Sequence, residues 1–135
     1  IFIPTSSGTT AQALGVEFEK LDGPKPQIHI VQTEHCHPMA EHFDTEFTHA
    51  ETSLAGAIVD NVAHRKEKVI DVIKKSNGSG WVASDEEIKN AITLIEETCE
   101  ILISPNSALS VAGLQKALSK GSKFEGPVVC LITGM

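Results

Sequence analysis

The chain has no tyrosine, a single tryptophan and three cysteines among its 135 residues. With so few rings, aliphatic side chains must fill the interior, and an apolar share of 41% is enough for the core of one domain, residues 1–135. Cys36, Cys99 and Cys130 form no CxxC pair. A sparse, odd count suits free thiols in a reducing compartment, so the cytoplasm is the expected location. No apolar run approaches the roughly 20 residues of a membrane span, and no leader pattern is visible. Basic residues are outnumbered, giving a formal net charge of −7. A nucleic-acid backbone would be repelled, so neither nucleic acid nor membrane is an expected partner. The one dense basic run, His64-Arg65-Lys66-Glu67-Lys68, reads as the wet face of a helix.

What is present is an alternation of short apolar runs and helical patterns. Ile1-Phe2-Ile3 reads as a buried strand, followed by a loop of small residues, Thr5 to Thr10. Ala11, Leu14, Phe18 and Leu21 then recur at helical spacing until Gly23-Pro24. Gln27 to Gln32 alternates and is β-branched, a second strand. Thr33 to Thr52 is polar and His-rich, with a short helix expected at Met39 to Phe43 after Pro38. Ala57-Ile58-Val59 reads as a short strand, Arg65 to Lys75 as a helix, and Gly80 to Ala83 as extended. Ser84 with Glu87 is a capping box that opens a helix carrying Ile88, Ile92 and Ile95 on one face. Ile101-Leu102-Ile103 is a short strand or turn, and Ser104-Pro105 opens a helix with Leu109, Ala112, Gly113 and Leu118. Pro127 to Ile132 is a final buried strand. Apolar strands alternating with helices predict an α/β domain with a mostly parallel sheet. The chain begins and ends close to core strands, so it is expected to be a fragment, one piece of a longer chain.

The loop after the first strand is the leading site candidate. Ligands of open parallel sheets bind beyond the carboxyl ends of strands, where a helix N-terminus offers unpaired N–H groups. Gly8 allows the backbone dihedrals of an anion-holding nest, and Ser6, Ser7, Thr9 and Thr10 add hydroxyl donors. No Lys stands where a Walker loop needs one, and GxGxxG is absent. On pattern alone, two readings stand: a phosphate cradle and a Ser/Thr-rich turn that caps a helix.

Three segments in order carry a family resemblance. Pro4-Thr5-Ser6-Ser7-Gly8-Thr9-Thr10 resembles the G-S-G-G-T phosphate loop of the fold-type-II pyridoxal-phosphate enzymes, with Ser6 at the first glycine and Thr9 at the third. Ile103-Ser104-Pro105-Asn106-Ser107-Ala108 resembles the E-P-S-[GA]-A start of a helix lining the cofactor site, with Ser104 in place of Glu. Val128 to Gly134 resembles the last core strand with its T-G ending, and Val82 to Ile88 resembles the V-S-D-E-E-I helix start. The resemblance implies a Rossmann-like three-layer domain, part of the larger domain of such an enzyme, with residues 1–135 as its C-terminal, cofactor-binding portion. It implies a phosphate site at Ser6, Ser7, Gly8, Thr9 and Thr10, a pyridine-nitrogen partner in Thr133, and site-lining roles for Ser104 and Asn106. It implies pyridoxal 5'-phosphate as cofactor, an amino-acid substrate and a homodimeric parent.

The T-G ending and the S-P-N-S-A form look nearest to threonine synthase, which implies conversion of O-phosphohomoserine to threonine. Threonine dehydratase-like and cysteine synthase-like chemistry, and a non-catalytic phosphate-ligand domain, are the alternatives. In the family, the lysine that forms a Schiff base with the cofactor lies upstream of the phosphate loop. By that comparison no residue of this chain is the catalytic lysine, and Lys20, Lys25 and Lys116 read as solvated. His35, Cys36, His37, His42 and His49 hold possible metal ligands, but H-C-H-x4-H matches no closed structural site, so no metal is expected. Cys130 and Cys99 read as core or near-core thiols.

Overall fold

The computed structural model describes residues 1–135. Three parallel strands form the sheet: β1 (Phe2–Pro4), β2 (His29–Thr33) and β3 (Ser79–Ala83), in the order β1-β2-β3. Ile3 sits beside Ile30, and Val31 beside Trp81. The four helices are α1 (Thr9–Glu19), α2 (Lys66–Lys75), α3 (Asp85–Cys99) and α4 (Pro105–Ser119). The expected α/β class and parallel sheet are present.

Side chains alternate across the pleat, so one residue pattern builds two cores. Ile3, Ile30 and Val82 face a core completed by Ala11, Val69, Val72 and Ile73 from α1 and α2. Phe2, Val31 and Trp81 face the other, completed by Ile88 and Ala91 of α3 and Leu109 and Ala112 of α4. The layers are therefore helices, sheet, helices. A Cβ on Gly113 would lie 2.3 Å from Val31 Cγ2, so the missing side chain is what lets α4 settle on the sheet. His29 lies in the α3/α4 core, stacked on Phe2 with ring centroids 4.5 Å apart, and its Nδ1 accepts from Trp81 Nε1–H at 3.3 Å. Burial, helped by the nearby terminal ammonium, lowers its pKa to about 4 and keeps it neutral.

Helix starts follow the sequence closely. Ser84 Oγ accepts from Glu87 N–H, and Glu87 Oε2 accepts from Ser84 N–H at 2.8 Å, the reciprocal box the spacing implied. Ser104 caps α4 with Pro105 in its first turn. The short helix after Pro38 is a 3-10 turn at Ala40–His42.

Several expectations are corrected. Residues 57–59 form no strand, because the Ala57 and Val59 N–H groups bond to side chains elsewhere, the Ile58 N–H turns back to Ala55 O, and Val59 is 60% exposed. Residues 101–103 form no strand; only Ile103 reaches the core. Pro127–Ile132 is not a buried strand. It makes one parallel bridge, Cys130 to Phe2, and with no neighbour on its outer side Val128, Val129 and Ile132 stay exposed. Leu21 and Leu118 end their helical patterns in solvent. Cys99 is exposed and Cys130 half-buried.

Lys116 is not solvated. Its side chain is 9% exposed and lies 2.9 Å from Asp44 Oδ2, itself 1% exposed; Lys116 Nζ also donates to the carbonyls of Val82 and Glu46. Asp44 further accepts from Val82 N–H at 3.0 Å and Glu46 N–H at 3.1 Å. Burial alone would raise the Asp44 pKa, but the Val82 N–H, Lys116 and the Glu46 N–H together hold it below the ordinary 3.8. A lowered carboxyl pKa contributes stability that is complete above pH 3.8 and lost as pH falls through the folded-state value. Asp44→Asn should cost about 3 kcal/mol at pH 7, because it strands the Lys116 ammonium. Urea melts of both proteins from pH 7 down to pH 2 should show the gap narrowing below pH 3.8; a constant gap would remove the ion pair as its cause.

Candidate functional site

Parallel pairing places the ends of all three strands at one edge. At that edge β1 runs into the turn Thr5 to Gly8, and α1 starts at Thr9. Thr5 is buried and faces inward, its N–H bonded to Val31 O at 2.9 Å and its hydroxyl to Ile3 O at 2.9 Å. Beyond it the pattern changes. The first helical bond runs from Gln12 N–H to Gly8 O at 3.0 Å, and the N–H groups of Ser6 through Ala11 donate to no protein atom. Gly8 has φ +82°, and a Cβ there would lie 2.6 Å from Val69 Cγ2 and 3.2 Å from Met39 Sδ. Both the turn and its packing therefore require glycine.

The helix ends differ in a way that matters. Side chains cap α3 and α4, and α2 carries Glu67 in its first turn. Only α1 has neither a side-chain cap nor an acid in its first turn. Its unsatisfied donors and positive dipole end remain free for an external anion. Ser7 Oγ and Thr9 Oγ1 lie 3.1 Å apart, so one hydroxyl donates to the other and the second proton is free. The donor set fits a phosphate: N–H groups, hydroxyls, a left-handed glycine and no competing carboxylate.

The other anticipated residues gather at the same edge. Phe2 is level with Cys130, and the chain runs on from that bridge to Thr133. Ser107 fastens it there. The Ser107 side chain is fully buried; its Oγ donates to Gly134 O at 2.7 Å and accepts from Thr133 N–H at 3.1 Å and Gly134 N–H at 2.9 Å. Ser104 Oγ is 3.2 Å from Ser107 Oγ and 3.3 Å from Gly134 O, so it caps the helix and steadies this joint. The hydroxyl of Thr133 has no protein partner and is exposed. Asn106 Oδ1 accepts from Ala57 N–H at 3.0 Å, and Ser6 Oγ accepts from Val59 N–H at 3.2 Å and Asp60 N–H at 3.3 Å. One turn, 57–60, thus joins the loop to the start of α4.

Sequence reasoning missed two things here. Ser107 stood inside the quoted stretch, three residues after the cap, and that spacing was the available signal. The 57–60 turn acts through backbone N–H groups, which no residue pattern reports. The histidine-rich segment gathers no group of three or more His, Cys, Asp or Glu able to hold a metal ion. His35 and His37 instead contact the carbonyls of Ala50 and Thr33, at 3.3 and 3.0 Å.

A family model described as "Pyridoxal-phosphate dependent enzyme" matches residues 1–134. A threonine synthase of Mycobacterium bovis (strain ATCC BAA-935 / AF2122/97) is 36% identical over 88 residues, covering 64% of this chain and 24% of that protein. A threonine synthase of Methanocaldococcus jannaschii is 29% identical over 116 residues, covering 81% of this chain and 28% of that protein. The chain spans about a quarter of the length of these curated relatives. The crystal structure of a T.th. threonine deaminase superposes with a TM-score of 0.63 at 14% identity, covering 93% of this chain and 46% of that one, a likeness of fold.

Ser107→Ala would leave the Thr133 and Gly134 N–H groups without their shared acceptor. A loss of about 1–2 kcal/mol is expected. Amide exchange should quicken at Thr133 and Gly134 well before it changes in β2; uniform quickening would place the effect in the core instead.

Proposed function

The chain belongs to the pyridoxal-phosphate-dependent enzymes of fold type II, and from that membership we propose that it forms the phosphate-binding and pyridine-side part of a threonine synthase-like active site. The observation that carries the reading is the open start of α1, where six successive N–H groups from Ser6 to Ala11 have no protein acceptor. The cofactor of this family is pyridoxal phosphate. When bound, it supplies an electron sink for the carbanion character that develops on an amino-acid substrate.

The chain's own residues do the holding. Ser6, Ser7, Gly8, Thr9 and Thr10 take the phosphate through N–H and O–H donors, without a lysine or arginine. The Thr133 hydroxyl, carried to the edge by Ser107, is the partner for the pyridine nitrogen. A hydroxyl partner leaves that nitrogen weakly protonated, which suits elimination and replacement at the β and γ carbons. Ser104 and Asn106 line the substrate side.

The covalent anchor is proposed to lie outside these residues. Lys116, the lysine most withdrawn from solvent, is committed to Asp44. Lys66 is paired with Glu41 at 3.2 Å, and the remaining lysines are exposed. The activity of these relatives, threonine synthase, supplies the proposed reaction, from O-phosphohomoserine to threonine.

Two measurements test the reading. Pyridoxal phosphate should bind the chain more tightly than pyridoxal, with inorganic phosphate competing. After borohydride treatment, peptide mapping should show scattered, substoichiometric lysine labelling. One stoichiometric adduct at a single lysine would overturn the assignment of the anchor elsewhere.

A further inference from the structure

The turn at residues 57–60, a strand by its sequence pattern, bonds in a way that has a consequence for the site. A hydroxyl has two acceptor lone pairs and one proton to give. Val59 N–H and Asp60 N–H occupy both acceptor positions of Ser6 Oγ. The Ser6 proton therefore points away from the turn, and no protein atom accepts it. The same turn also orients Asn106: Ala57 N–H bonds to Oδ1, which fixes the amide and leaves the Nδ2 donors unpaired. Asp60 holds the turn in shape, because its Oδ1 accepts from Ala63 N–H at 3.1 Å, where Ala63 has φ +49°.

We propose that the 57–60 turn, held by Asp60, is the positioning element that makes Ser6 an obligate donor and fixes the Asn106 amide with its N–H groups unpaired, so that the site favours a fully deprotonated phosphate ester. The inference rests on the phosphate reading of the loop and adds the device that orients it. A fully deprotonated ester can accept at every oxygen, whereas an oxygen that still carries a proton gains nothing from Ser6, which has no lone pair left, or from the N–H groups of the loop, which only donate. The carboxylate in the turn, Asp60, gives its Oδ1 to Ala63 N–H. Asp60 is thus a positioning residue that acts through Ser6.

Pyridoxine phosphate and pyridoxine, which lack the aldehyde and so form no lysine adduct, are suitable probes for titration of the whole chain. Binding of pyridoxine phosphate should strengthen as pH rises from 5 to 7.5, through the second phosphate pKa near 6. Asp60→Ala should weaken it about tenfold at pH 7.5, the scale of one charge-assisted hydrogen bond. Asp60→Asn keeps an acceptor for Ala63 N–H and should restore binding to within about twofold of the original. Ser6→Ala should weaken binding as Asp60→Ala does, and the double variant should be no weaker than either alone. Pyridoxine binding and the circular-dichroism melt should hardly change.

Additive losses, or an Asp60→Asn as weak as Asp60→Ala, would overturn the proposal while leaving the phosphate reading standing. A parallel loss of pyridoxine binding in Asp60→Ala would reduce Asp60 to a structural part and overturn it too. If the unaltered chain does not prefer pyridoxine phosphate to pyridoxine, the phosphate reading itself fails.

Discussion

Parallel pairing is the constraint on which the rest of this molecule depends. Antiparallel strands would scatter their ends between two edges. Here Phe2 beside His29, and His29 beside Ser79, oblige Pro4, Thr33 and Ala83 to finish at the same edge. The bridge from Phe2 to Cys130 brings the end of the chain there as well. Parallel sheets tolerate little solvent on either face, so helices must cover both. Ile3, Ile30 and Val82 on one side and Phe2, Val31 and Trp81 on the other meet that demand. Chemistry can then collect at the edge because the faces are already occupied.

At that edge the helix starts divide the electrostatic labour. A start buried without a partner is costly, and α3 and α4 avoid this with Ser84 and Ser104. The start of α1 has the same need and meets it with nothing of the protein's own. The net charge of −7 makes this local arrangement more informative. The chain repels anions on average, yet it concentrates donors at Ser6 to Ala11 and keeps acidic side chains out of the first turn. Donors fixed in the backbone need no reorganisation when a phosphate arrives, whereas a mobile lysine would.

What could be read from sequence follows from how local each interaction is. The Ser84–Glu87 box and the Ser104-Pro105 start span a few residues, and both appear as expected. Gly8 was legible because a left-handed turn admits few other residues. The strand 127–132 was misjudged because an apolar run does not report whether it has one neighbour or two. Lys116 was misjudged for a related reason. Helical spacing places it late in α4, but nothing nearby in sequence announces Asp44, which arrives from far back in the chain to bury it. Ala57 to Asp60 lay beyond reach because its role belongs to N–H groups, which every residue but proline has.

The same logic accounts for the polar stretch between β2 and α2. Segments of this length with no more regular structure than one 3-10 turn are uncommon inside a domain, and such a segment needs a reason to stay ordered. Its apolar anchors are few: Cys36, Met39, Ala40, Ala55, Ile58 and Ala63. Side chain to backbone bonds do the remainder. Glu34 Oε1 accepts from Thr48 N–H, and Asp44 ties to β3 through Val82 N–H. Asp85, in the first turn of α3, accepts from Ser53 Oγ and from Leu54 N–H, both at 2.9 Å. Ala57, Val59 and Asp60 complete the series on Asn106 and Ser6. Polar side chains inside the segment, Glu34 and Asp44, and outside it, Asp85, Asn106 and Ser6, therefore hold its backbone where regular structure does not. The last of these pins, on Asn106 and Ser6, lie on the candidate site.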